Sequence, residues 1–65
     1  MHRFRIPEMS CGHCVRAVTA AVQARDPAAH VEIDLANRRV AVSSQRAASE
    51  LAEAIAAAGY ANLPE

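Results

Sequence analysis

Aromatic residues are scarce in this chain of 65 residues, and it has no excess of basic residues. It contains no tryptophan and no lysine, and apart from histidine its only aromatic residues are Phe4 and Tyr60. Stacking platforms for single-stranded nucleic acids are therefore scarce. Seven arginines balance seven acidic residues, so the formal net charge is zero. The basic excess that is typical of DNA-binding domains is missing, and we expect no nucleic-acid partner.

Long apolar runs are also missing. No run of 18 apolar residues occurs, so we expect no insertion into a membrane. The first six residues alternate charged and apolar side chains and lack the apolar centre of a secretion signal. Residues 1–65 make one small domain, too short for a roomy substrate pocket with lids, and we expect no enzyme. These features favour a reducing, cytoplasmic location.

What the chain has is a large share of small apolar residues. Apolar residues make up 52% of the sequence, which supports a packed core and argues against disorder. Sixteen of them are alanines, so we expect most of the core side chains to be small.

Apolar and polar residues alternate in two neighbouring segments, which predicts a β-hairpin. The apolar positions are Val31, Ile33 and Leu35 in the first segment and Val40 and Val42 in the second. A tight turn around residues 36–37 would place Ile33 opposite Val40 on the inner face and Asp34 opposite Arg39 on the outer face. A slip of one residue would destroy this agreement. Asn37 suits a turn position with positive φ.

Two other segments carry apolar residues three and four positions apart, which predicts amphipathic helices. The first runs from about Gly12 to Arg25 and ends before Asp26 and Pro27. The second spans residues 47–58, with Gly59 as the cap after its last turn. Their apolar stripes are Val15, Val18 and Val22 in the first helix, and Ala48, Leu51, Ile55 and Ala58 in the second. Three serines, Ser43, Ser44 and Ser49, compete as N-cap of the second helix.

Each end of the chain has room for one more strand. Phe4 and Ile6 alternate with arginines before Pro7, and the last strand, within residues 60–65, is short and cut off by Pro64. The order β-α-β-β-α-β predicts an α+β fold of the ferredoxin-like type, a four-stranded antiparallel sheet with two helices on one face. The charged residues Arg3, Arg5, Glu32, Asp34 and Arg39 are then left for the other face.

The chemistry of the chain lies in residues 9–14, with the sequence Met-Ser-Cys-Gly-His-Cys. Cys11 and Cys14 lie where a strand leads into a helix. The helix N-terminus favours negative charge, so both thiols are expected to ionise more readily than free cysteine. Two soft thiolates with few other ligands suit Cu(I), whereas Zn(II) usually takes four ligands. The helical phase turns Cys14 toward the core and leaves Cys11 more exposed in the loop.

Several other interpretations of these residues remain open. The cysteines could be incidental thiols or a disulfide, which a reducing cytoplasm disfavours. Cys-Gly-His-Cys also matches the active-site tetrapeptide of disulfide isomerases, so a thiol–disulfide oxidoreductase is the alternative function. His13 could be a third ligand, a cation that lowers the thiol pKa, or a solvated residue. Met9 could be a core residue or a thioether ligand.

Residues 9–15, the valine stripe that follows and the stretch from Ile55 to Gly59 and Tyr60 resemble the heavy-metal-associated domain family. This family includes small copper chaperones and the N-terminal domains of copper-pumping ATPases, and the resemblance covers nearly all 65 residues. It implies that Cys11 and Cys14 are the Cu(I) ligands and that Met9 is a buried loop anchor. It also implies that Tyr60 lies close to the metal, where bacterial members often have Tyr.

The resemblance also implies how the protein works. Cu(I) would pass by thiolate ligand exchange to a copper-transporting P-type ATPase or its metal-binding domain, and a copper-bridged homodimer is a further expected assembly. Beginning at Met1 and ending soon after Tyr60 favours a free-standing chaperone, although an excised domain would look the same. The chain departs from the family at Glu8, where Gly is common, at residues 27–29 and in its short last strand.

Overall fold

The computed structural model describes all 65 residues and confirms the predicted order of elements. The elements are β1 (His2–Arg5), α1 (Gly12–Arg25), β2 (His30–Asp34), β3 (Arg39–Ser43), α2 (Ala48–Ala57) and β4 (Leu63–Pro64). All strand pairs are antiparallel, in the sheet order β2-β3-β1-β4. Neither helix is long and apolar enough to cross a membrane. The short last strand ends at Pro64 on the sheet edge, where its missing N–H is tolerated.

The register of the β2–β3 hairpin is the predicted one, with Ile33 opposite Val40, Val31 opposite Val42 and Asp34 opposite Arg39. The turn that joins the strands differs from the prediction. Positive φ occurs at Arg38, with a value of 57°, and not at Asn37. Asn37 is instead held by the Asp34 carboxylate, to which it donates its backbone N–H (3.2 Å) and its side-chain amide (2.8 Å). The residue with positive φ is therefore Arg38, one position later than predicted.

The core lies between the sheet and the two helices. Ten buried residues form it: Phe4, Ile6, Met9, Val18, Val22, Ala29, Val40, Val42, Leu51 and Ile55. Burying one of its larger apolar side chains contributes about 1.5–3 kcal/mol. Val31, Ile33 and Leu35 are only partly buried, because β2 is an edge strand. The five charged residues predicted for the open face of the sheet are all exposed.

Two details of α2 correct the predictions. Its buried residues are Leu51, Ala54 and Ile55, whereas Ala48 and Ala58, at the two ends of the helix, are exposed. Its N-cap is Ala47, without a side-chain cap. Ser44 is engaged elsewhere, since its hydroxyl donates to Asp26 (2.5 Å) and accepts the Arg46 N–H (3.0 Å). The last turn of α2 ends as predicted, with Gly59 at φ +100°.

Candidate metal centre

The loop between β1 and α1 is anchored at Met9. This side chain is fully buried in the core, so it occupies the position of a loop anchor. The Met9 N–H donates to the Ile6 carbonyl (3.0 Å), which closes a tight turn over Pro7 and Glu8. Both Glu8 and Ser10 are exposed. The loop therefore presents its polar residues to solvent, while the buried side chains of Ile6 at its start and Met9 in its middle fix it to the domain.

The two cysteines are close together and unequal in exposure. Cys11 is the N-cap residue of α1, with extended backbone angles, and its side chain is exposed. Cys14 is half-buried and packs against the core. Both thiols are free, and their sulfur atoms lie 3.3 Å apart, within hydrogen-bond distance. The exposure of each cysteine is the one that the helical phase predicted.

Tyr60 is the third side chain that the fold brings to this place. Its position follows from the end of α2, where the Gly59 N–H donates to the Ala56 carbonyl (2.9 Å) and the Tyr60 N–H to the Ile55 carbonyl (3.3 Å). This is the Schellman arrangement, which requires the left-handed backbone that Gly59 supplies. The chain is thereby turned so that the half-buried Tyr60 packs against the core with its hydroxyl facing Cys14.

These neighbours lower the pKa of the Cys14 thiol to about 7. The largest cause is the Tyr60 hydroxyl, followed by the backbone N–H of Ser10 and the Cys11 thiol, all of which stabilise the thiolate by hydrogen bonding. The same contact with Cys14 raises the pKa of Tyr60. The sequence predicted easier ionisation from the helix N-terminus alone. The largest single cause of the lowered Cys14 pKa is instead a hydroxyl 46 positions further along the chain.

No third His, Cys, Asp or Glu side chain joins the two cysteines to make a group that could hold a metal ion. His13 is exposed, so the structure does not bring it into the site as a third ligand.

One residue that the sequence gave no reason to single out also reaches the loop. The Arg38 guanidinium donates to the Pro7 carbonyl (2.9 Å), a contact between residues distant in sequence that no local pattern predicts.

Comparison with known proteins identifies the family. The sequence profile of the heavy-metal-associated domain matches residues 3–61. The chain belongs to the heavy-metal-associated domain family. This result confirms the predicted family, and the Met-x-Cys-x-x-Cys loop lies within the matched region.

Several solved structures are similar to this chain in sequence and in fold. The copper chaperone Atx1 from Synechocystis PCC6803, in a trimeric mutant form, is 38% identical with a TM-score of 0.92, over 94% of this chain and 97% of that chain. A gold binding protein is 31% identical with a TM-score of 0.96, over the whole of both chains. The CopZ metallochaperone is 32% identical with a TM-score of 0.83, over 94% of this chain and 96% of that chain. No curated protein sequence matches.

The ferredoxin-like arrangement predicted from the sequence is thus confirmed. The family is named for its association with heavy metals, and two of the similar structures are those of a copper chaperone and a metallochaperone.

Proposed function

We propose that this protein is a copper chaperone that holds one Cu(I) between the thiolates of Cys11 and Cys14. The observation that carries the proposal is the pair of free thiols 3.3 Å apart, with no third ligand group beside them. Thiolates are soft ligands that select Cu(I). A structural Zn(II) site would need four ligands, which this chain does not offer. The similarity to copper chaperones supports the same cargo.

The distance between the sulfurs indicates what must move when the metal binds. If copper–sulfur bonds are as long as zinc–sulfur bonds, about 2.3 Å, a linear S–Cu–S unit separates the sulfurs by about 4.6 Å. The present separation is 3.3 Å, so they must part by about 1.3 Å. Cys14 is held by its packing against the core, whereas Cys11 is exposed in the loop. Rotation of the Cys11 side chain supplies the movement at little cost.

The unequal exposure of the two cysteines also suggests the route of transfer. A thiolate of the partner reaches the metal from the side of Cys11 and forms a three-coordinate intermediate. Cys11 then leaves first, because it is exposed in the loop, whereas Cys14 is half-buried and held by its packing against the core. No free copper ion is released at any stage. Met9 anchors the loop, Tyr60 stabilises the thiolate, and His13 remains a solvated neighbour.

The partner in this proposal is a copper-transporting P-type ATPase or its metal-binding domain, in the cytoplasm. A reducing cytoplasm keeps both thiols free. A copper-bridged homodimer is a second assembly, since an exposed Cys11 can meet the thiolate of another copy in the same way that it meets a partner.

A thiol–disulfide oxidoreductase is the second candidate, and one observation bears on it. The thiol with the lowered pKa, at about 7, is the half-buried Cys14. Disulfide exchange needs a thiolate that the substrate disulfide can reach. Here the favoured thiolate is the less accessible one, which supports metal binding over exchange. An insulin-reduction assay tests this, and turnover at the rate of a disulfide reductase would contradict our choice.

The test of the proposed function is an anaerobic Cu(I) competition titration followed by native mass spectrometry. We expect the titration to reach its end point at one copper ion per chain. Cys11→Ser and Cys14→Ser should each weaken binding severely, because each removes half of the ligands. Ser10→Ala is the matched control, since it removes an exposed hydroxyl between Met9 and Cys11, and it should bind like the wild type. Displacement of Cu(I) by stoichiometric Zn(II) would contradict the two-thiolate site.

A further inference from the structure

The β2–β3 turn touches the metal-binding loop through one residue, Arg38. The Ile6 N–H donates to the backbone carbonyl of Arg38 (2.8 Å), and Nη1 of Arg38 donates to the Pro7 carbonyl (2.9 Å). Two consecutive residues at the entry of the loop are thus bound by the backbone and the side chain of one residue.

The backbone of Arg38 is unusual for a residue of its type. Its φ of 57° lies in the left-handed region, where a residue with a Cβ atom is disfavoured and Gly or Asn is the common choice. If the turn were all that mattered, either of those residues would fit this position better. Such an outlier is a reason to look for a role in the side chain, and the one hydrogen bond of the guanidinium in this structure goes to the loop.

The loop has few other attachments. Between Pro7 and Cys11 only the Met9 side chain is buried, while Glu8, Ser10 and Cys11 are exposed. After the buried Ile6 at its start, the loop has one buried side chain as an anchor, and the hydrogen bond to the Pro7 carbonyl adds a second attachment. Hydrogen bonds from a charged donor are stronger than those between neutral groups, so a guanidinium is an effective tether even at an exposed position.

We propose that Arg38 is a positioning residue for the metal-binding loop. Through its hydrogen bonds to Ile6 and Pro7 it restrains the backbone of the loop that carries Cys11, so that only the Cys11 side chain has to move when the metal binds. The part of this inference that concerns copper rests on the proposed function, whereas the part that concerns the order of the loop does not.

The test compares Arg38→Gly and Arg38→Asn with the wild type. Both replacements suit a left-handed backbone, so thermal stability should be equal or higher. Neither side chain can reach the Pro7 carbonyl. Amide hydrogen exchange at residues 9–11 of the apo protein should become faster. Cu(I) affinity should fall by less than the roughly tenfold that is the lower end of the loss when a direct hydrogen bond to a metal ligand is removed, because Arg38 contacts the loop and not a cysteine. Arg39→Ala is the matched control.

Arg39 is the exposed neighbour in β3, paired with Glu65 (3.2 Å) rather than with the loop, so its replacement should change neither the loop exchange nor the affinity. Wild-type loop exchange in both Arg38 variants, or an equal change in Arg39→Ala, would overturn the inference. If the wild type itself bound no Cu(I), the proposed function would fail, and the exchange measurement would still decide the role of Arg38.

Discussion

Replacing Tyr60 with Phe removes one hydroxyl and keeps the ring that packs against the core. That hydroxyl is the largest of the causes that bring the pKa of Cys14 down to about 7 from 9.0, so the pKa should rise in the variant. At pH 7 a thiol of pKa about 7 is half ionised, and a rise of one unit leaves about one-tenth as thiolate. Because copper binds the thiolate, the apparent Cu(I) affinity at that pH should then fall about fivefold.

The sign of the effect depends on pH in a defined way. The loss of Cu(I) affinity in the Tyr60→Phe variant should be largest at and below neutral pH. It should disappear above about pH 9, where Cys14 is ionised in both proteins. The measurement is the alkylation rate of Cys14 as a function of pH, resolved from Cys11 by peptide mass mapping. Ser10→Ala is the control for loss of a nearby hydroxyl and should titrate like the wild type. Superimposable Cys14 profiles for Tyr60→Phe and the wild type would refute the reasoning.

Three further predictions concern stability. Gly59→Ala should destabilise the fold by about 1 kcal/mol or more, because φ is +100° there although no atom lies within 4 Å of the added Cβ. Gly12→Ala, equally free of contacts but helical, should be neutral in the same urea titration. Leu51→Ala should cost about 2–5 kcal/mol by opening a cavity at a fully buried position, measured by thermal unfolding of the apo protein. The Ser44 hydroxyl lowers the pKa of Asp26 in the folded state, so the stabilising contribution of the Asp26 carboxylate is complete above about pH 5 and is lost as the pH falls further. Asp26→Asn should therefore show a smaller loss of stability between about pH 5 and 3 than the wild type.

The strands and their register could be predicted because one register pairs apolar residues on the inner face of the hairpin and opposite charges on its outer face. Ile33 and Val40 meet inside while Asp34 and Arg39 meet outside, and no other register satisfies both. The position of the left-handed residue in the turn could not be predicted. It depends on hydrogen bonds of Asn37 to Asp34, and sequence preference alone pointed to Asn37 itself.

Alanine explains the error in α2. An alanine fits a buried and an exposed position about equally well, so the spacing of Ala48 and Ala58 with Leu51 and Ile55 carried little information. Ala48 and Ala58 lie at the two ends of the helix, and both are exposed there. The buried alanine is Ala54, in the second half of the helix next to Ile55.

In the site, the exposure of the two cysteines could be predicted because helical phase is a local property. The contact between Tyr60 and Cys14 could not be derived from local patterns. It requires the Schellman turn at Gly59 to direct the chain back toward α1, and only the family resemblance pointed to it. The hydrogen bond from Arg38 to Pro7 joins a turn to a loop 31 positions away, and neither segment has a pattern that indicates the other.

The measurement that tests the central claim most directly is the rate of Cu(I) transfer. The loaded protein is mixed anaerobically with increasing concentrations of a related two-cysteine metal-binding domain, and copper on each partner is followed over time. Ligand exchange through the exposed Cys11 predicts that the rate rises in proportion to the acceptor concentration and exceeds the rate of copper loss to solution. A transfer rate independent of acceptor concentration would mean that copper is released before it is captured, and would contradict the account.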